Sequence, residues 1–271
     1  MTALLHKSWA FITKDFRIES GYKLNFLMRI AESLMILIFF YFLSALMTSH
    51  NGGALGRYGG RYFPFALIGL AFARYFDLTL RMFSDSIRLA QVTGCLEAML
   101  SSQTNCVAVV LMSSLYSLIS GAVQLCVILV AGAFLFGADL SRMNVPATLL
   151  VVLLSIATFV AFGVLSAAAI VWLKKGDPIT WIVGGAGSIL GGAYFPITVM
   201  PGWLQKVSLV IPIRYSLDAL RLTMLEGYSL VMVARPLITL TAIVTVLLPA
   251  SLWLFAATIQ KGRKEGTLIE Y

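Results

Sequence analysis

The chain has 271 residues, of which 59% are hydrophobic and only 12% charged, and it carries a formal net charge of +8. Soluble domains average about 25% charged residues, so a deficit spread over the whole length points to an integral membrane protein rather than a soluble domain with an anchor. The basic residues flank apolar segments, which suits anchoring at a membrane interface and argues against a nucleic-acid-binding face.

Residues 3–18 read as an amphipathic helix, with Leu5, Trp9, Ile12 and Phe16 at helical spacing and Lys7, Lys14, Asp15 and Arg17 elsewhere on the wheel. Too charged to span, this helix is expected to lie in the membrane interface, the alternative being a soluble packing helix. Six apolar segments follow, at 24–47, 62–83, 106–136, 146–173, 178–198 and 234–259. Each meets the requirement of about 20 residues for a transmembrane helix. With both termini cytoplasmic, most of the 20 Lys and Arg residues fall on the inside, which sets an N-in, C-in orientation. The loops are short, so residues 1–271 form a single membrane domain.

Four charges lie within the first two spans. Arg29 and Glu32 are i,i+3 in the first, and Arg74 and Asp77 are i,i+3 in the second. That spacing places each pair on one face, where it can neutralise itself. Such groups either line a path for a polar substrate or pair structurally, with snorkelling a further option for Arg29. Phe39, Phe40, Tyr41 and Phe42 crowd the outer half of the first span, facing lipid or a pathway.

Residues 84–101, SDSIRLAQVTGCLEAMLS, follow the second span and are amphipathic. A short helix here either inserts into a groove of a soluble partner or rests on the lipid surface. Glycines 184, 185, 187, 191 and 192 in the fifth span allow close backbone approach, with Gly187 and Gly191 on one face. Residues 191–221 stay apolar but are broken by Pro196, Pro201 and Pro212, and carry Lys206, Arg214, Asp218 and Arg221. A plain spanning helix tolerates few such breaks and charges. The segment is expected to turn back inside a protein-lined rim at the membrane surface.

Catalysis finds little support. The 2 histidines, His6 and His50, lack neighbours for a metal or a triad, and the 3 cysteines, Cys95, Cys106 and Cys126, have no metal-binding spacing. No phosphate-binding G-x-x-x-x-G-K-[ST] loop is present, so any ATP must be bound by another chain.

Two stretches resemble the membrane subunits of ATP-binding-cassette (ABC) type-2 exporters, the bacterial drug, lipid and polysaccharide permeases. Thr93-Gly94-Cys95-Leu96-Glu97-Ala98-Met99-Leu100 is similar to that family's G-T-L-E-x-L-L coupling segment, with Cys95 where Thr is common. Phe195-Pro196-Ile197-Thr198-Val199-Met200-Pro201-Gly202-Trp203-Leu204, then Pro212-Ile213-Arg214-Tyr215-Ser216-Leu217-Asp218-Ala219-Leu220-Arg221, resemble the family's outer segment. The resemblance covers essentially the whole chain and implies an all-α membrane fold with six transmembrane helices. It makes 88–100 a coupling helix, with Arg88, Gly94, Leu96, Glu97, Ala98, Met99 and Leu100 docking into a separate ATP-binding subunit. It makes 199–226 short re-entrant helices on the outer side, and gives an outer gate and re-entrant set of Phe195, Pro196, Pro201, Trp203, Pro212, Tyr215, Asp218 and Arg221. It further implies two copies of the ATPase carrying ATP and Mg²⁺, no cofactor or metal in this chain, and a second permease copy forming a homodimer. The location implied is a bacterial inner membrane. The substrate class expected is hydrophobic or amphipathic: a drug, lipid or glycolipid. The alternative is an ion-gradient-driven secondary transporter or channel, which would be expected to break helices in repeated halves; here the breaks occur once.

Overall fold

The computed structural model describes residues 2–21, 23–47, 55–92, 106–173 and 180–265. Every regular element among them is helical: α1 Thr2–Gly21, α2 Lys23–Met47, α3 Tyr62–Val92, α4 Cys106–Phe136, α5 Val145–Leu173, α6 Gly187–Leu190, α7 Gly202–Ser208, α8 Pro212–Leu225 and α9 Ala234–Glu265. A 3₁₀ turn, Gly56–Tyr58, precedes α3; a π-helical stretch, Thr180–Ala186, leads into α6; and a second 3₁₀ turn, Ile197–Val199, precedes α7.

Local chemistry sets several of these boundaries. Asn144 caps α5, its Oδ1 accepting from the Ala147 amide at 3.2 Å, and satisfies one of the helix's orphan donors. Pro212 opens α8 at a first-turn position, where a missing N–H costs nothing. Helix α4 ends at Gly137, whose φ of 67° is the left-handed conformation that glycine adopts without penalty.

Among the described residues, four helical stretches are long and apolar enough to cross a membrane: Tyr62–Arg88, Leu111–Phe136, Val145–Trp172 and Ala234–Lys261. Ile30–Leu46, within α2, is a shorter apolar helix. The least apolar of the four, α3, is the most enclosed. Its most apolar window is 83% buried, against 17% for α9, so α3 is the central post and α9 faces outward. Phe65, Phe72 and Phe76 of α3 are fully buried. Phe76 meets Phe159 of α5 edge-on at 4.7 Å between centroids, a favoured aromatic geometry. Helix α8 packs on α3, α5 and α9.

The loops gather at two ends. At one end lie the start of α3, the α4–α5 turn and the segment that carries α7 and α8: the Asn144 amide donates to the Thr223 carbonyl at 3.0 Å and the Tyr62 hydroxyl to the Tyr194 carbonyl at 3.0 Å. The C-terminal ends of α3, α5 and α9 and the start of α4 lie at the other.

Two expectations are corrected. The amphipathic stretch after the second span does not begin a separate helix at 84. Ser84–Val92 continue α3 without a break, because Met82, Phe83 and Ile87 still have a core to fill, with Val164 and Phe255 as neighbours. The expected fifth span, 178–198, is continuously helical from Thr180 to Leu190 among the described residues and is then broken before the 3₁₀ turn at Ile197. It ends because Gly191 lies against Ile213, where a Cβ would stand 2.2 Å from Cγ2, and Gly192 then turns with φ of 78°. The glycine-rich face is therefore a packing face, as its spacing implies.

Candidate functional site

Prolines 196, 201 and 212 divide residues 191–221 into short pieces, and side chains then bind the pieces together. Gln205 donates from Nε2 to the Met200 carbonyl at 2.8 Å. Arg214 Nη1 donates to the Gln205 carbonyl at 3.1 Å and to Ser208 Oγ at 2.9 Å, tying α8 to α7. The Tyr215 hydroxyl donates to the Leu209 carbonyl at 2.8 Å. Trp203 is 67% exposed and Phe195 and Pro201 also face outward, whereas Pro196 and Pro212 are buried. The residues named as one gate thus divide into an exposed rim and a buried fastening.

The fastening centres on Arg221, which is 3% exposed. Its Nε donates to the Phe65 carbonyl at 3.2 Å, Nη1 to the Gly192 carbonyl at 2.8 Å and Nη2 to the Ala193 carbonyl at 2.9 Å. The guanidinium lies 3.4 Å from the Phe65 ring centroid and 5.9 Å from that of Tyr58. Burying a cation is costly unless its donors are matched; three carbonyls and two ring faces match this one. Burial still pulls its pKa down to about 9, with nearby Tyr58 and Asp218 opposing the shift. The Tyr58 hydroxyl donates to Asp218 Oδ1 at 2.7 Å, and Arg57 stands 3.7 Å from Oδ2. Burial first, and the Asp218 carboxylate second, push Tyr58 up to about 12. One position that the sequence does not single out completes the fastening. At Gly69, a Cβ would fall 1.8 Å from the Ala193 carbonyl oxygen and 2.4 Å from Arg221 Nη2.

The second constellation is a chamber of about 660 Å³ bounded by α1, α2, α3 and α4. Helix α3 contributes Arg74, Asp77, Arg81 and Asp85, at spacings that share one face, and α4 contributes Ser113, Ser117, Ser120 and Gln124 opposite them. Here the expected pairing is corrected. Arg74 does not neutralise Asp77. It reaches across to α2, pairing with Glu32 and donating from Nη1 to Ser33 Oγ at 2.7 Å. Gln124 donates to the same Ser33 oxygen at 3.3 Å. Ser33 forms the bridge between three helices, and a bridge of that kind has no signature in the spacing along one helix. Asp77 turns instead towards Gly184, where a Cβ would stand 2.8 Å from Oδ1.

Helix α1 packs along α4, with Phe16 edge-on to Tyr116 at 6.5 Å, and sends Lys14, Asp15 and Glu19 to the chamber. Phe40, from the aromatic cluster of α2, stacks on Tyr194 at 5.7 Å, while Phe39 and Phe42 stay exposed. The polar row on α4 was legible as a period of three and four in an otherwise apolar helix.

Arg88 lies exposed near the end of α3. Gly94, Leu96, Glu97, Ala98, Met99 and Leu100 lie outside the described residues, as does the Arg29 side chain. Among the described residues no cluster of His, Cys, Asp and Glu could hold a metal ion. The sequence model of one protein family, described as ABC-2 type transporter, matches residues 8–225, well over half of the chain. No curated protein matches it significantly.

Proposed function

The chain belongs to the ABC-2 type transporter family, and from that premise we propose that this multi-pass membrane permease exports a hydrophobic or amphipathic substrate, driven by a separate ATP-binding subunit. Two copies of that subunit, carrying ATP and Mg²⁺, serve a homodimer of permeases in a bacterial inner membrane. Six spans with both termini inside place residues 88–100 against the ATPase and 199–226 over the exit. The single observation that carries this reading is α3: one uninterrupted helix from Tyr62 to Val92. It is fastened at its start to the folded-back helices through Arg221 and runs at its end into the proposed coupling segment. A conformational change imposed at one end then reaches the other through a single rigid element. The partner drives the cycle by binding the permease's conformations with unequal affinity, since equal affinity would shift nothing.

The test is Glu97→Arg in vesicles reconstituted with the ATP-binding subunit that purifies with the chain. Reversing one charge in a docking groove is expected to lower permease-stimulated ATP turnover about tenfold or more, equivalent to about 1.4 kcal/mol of docking energy, with membrane insertion intact. Undiminished stimulation sinks the coupling assignment.

A further inference from the structure

Helices α5 and α9 pack side by side, yet near their C-terminal ends they leave a groove of about 500 Å³ between them. Its floor is small, made by Ala168 and Ala169 of α5 and Ala257 of α9. Leu165 and Leu254 wall the end nearer the middle of the helices, and Trp172 and Lys261 stand at the mouth. From Leu165 to Trp172, and from Leu254 to Lys261, the groove runs about 10 Å along each helix. Thr258, the polar residue between those ends, donates its hydroxyl to the Leu254 carbonyl at 2.8 Å and is satisfied within its own helix. Both helices are long and apolar enough to cross a membrane, and the most apolar window of α9 is only 17% buried. Hydrocarbon lies against such a surface, and a floor of alanines admits a chain where larger side chains would exclude it.

The mouth carries chemistry that hydrocarbon alone does not use. Trp172 is 66% exposed, and its indole N–H has no acceptor among the described residues. A tryptophan at the end of a span meets the polar headgroup level, where ester and phosphate oxygens can accept that hydrogen bond. Basic residues crowd the same end in the sequence: Lys174 and Lys175 follow Trp172, and Lys261, Arg263 and Lys264 come at the close of α9. Asp177 and Glu265 are the carboxylates in these two stretches, 172–177 and 261–265; pairing both still leaves cations in excess. Lys and Arg clustered immediately beyond a spanning helix favour anionic lipid.

We propose that this groove seats one acyl chain of an anionic phospholipid, with its phosphate drawn to Trp172 and to the basic ends of α5 and α9. Which leaflet supplies the lipid follows from the orientation proposed above; the site itself depends on neither export nor an ATPase.

The full chain in nanodiscs of mainly phosphatidylcholine would be irradiated with phosphatidylglycerol carrying a diazirine part-way along one acyl chain, and the labelled peptides located by mass spectrometry. Labelling is expected to concentrate on residues 165–172 and 254–261. Unlabelled phosphatidylglycerol should compete about tenfold better than phosphatidylcholine with the same chains. Ala169→Phe, which fills the groove, should lower that labelling several-fold while labelling of the exposed α4 face around Phe134 stays unchanged, which a folding defect would not allow. The combined substitutions Lys261→Gln, Arg263→Gln and Lys264→Gln lie at the exposed end of α9 and should keep the labelled site while most of the preference for phosphatidylglycerol is lost. Equal competition by phosphatidylcholine, or an undiminished preference in that triple variant, overturns the anionic head. Unchanged labelling in Ala169→Phe overturns the seat. Absence of lipid label from the groove in the unaltered chain, together with a dimer that Ala169→Phe converts to monomer by mass, would give the groove to a second copy and overturn the lipid. Because ATP turnover is not read, each of these failures leaves the permease reading standing.

Discussion

Arg221, packed against the central helix, and Arg74, carried by it, are the same side chain, and their surroundings give them opposite characters. Arg221 is sealed among three carbonyls and two aromatic faces, and every contact holds α8 and the Gly192–Ala193 turn to the start of α3. Arg74 leans across an open chamber to a glutamate that is itself well exposed. A buried charge with all donors matched fixes one arrangement, whereas a charge with water or an exposed carboxylate for company stays free to exchange partners. The first region is built to stay assembled, and the second to be rearranged.

That contrast can be broken by measurement. The largest effect is expected from Arg221→Ala, which takes the arginine donors from the buried Gly192 and Ala193 carbonyls and empties a buried volume; a loss of at least about 3 kcal/mol is expected, read as a fall in unfolding temperature in nanodiscs. Gly69→Val should come next. Its side chain would displace the Ala193 carbonyl and the Arg221 guanidinium together, at a cost of about 1–3 kcal/mol in the same assay. Glu32→Gln removes the ion pair with Arg74 but should cost less than about 1 kcal/mol, because the pair is open to solvent. Trp203→Ala should be smallest, within about 0.5 kcal/mol, while transport in the reconstituted complex still falls. If Glu32→Gln proved as damaging as Arg221→Ala, the two regions would not differ in kind. Wild-type transport by Trp203→Ala would remove the rim assignment.

Much of the fold was legible because long apolar runs admit few readings. The helices expected at 106–136 and 146–173 form as Cys106–Phe136 and Val145–Leu173. The three prolines of residues 191–221 forecast their broken helices. Partner choice across helices was not legible. Arg74 and Asp77 satisfy the i,i+3 rule, yet Arg74 chooses Glu32, because Ser33 and Gln124 complete a better set of hydrogen bonds there. Gly69 looked like any glycine in an apolar helix, since the carbonyl it makes room for lies far away in sequence. The continuation of α3 through Val92 was hidden because residues 84–101 read as a separate amphipathic helix. Asp85 lines the chamber, while Phe83 and Ile87 hold another face in the core.

The unbroken length of α3 has a mechanical consequence. Its 31 residues span about 46 Å at 1.5 Å per residue, and the fastening holds it near Gly69, close to one end. Such a helix is a lever with a short arm and a long one. A tilt of about 5° about Gly69 would swing the Val92 end by about 3 Å while moving the Tyr62 end by only about 1 Å. Any such displacement at the Val92 end would be geared down to a fine adjustment at the Tyr62 end.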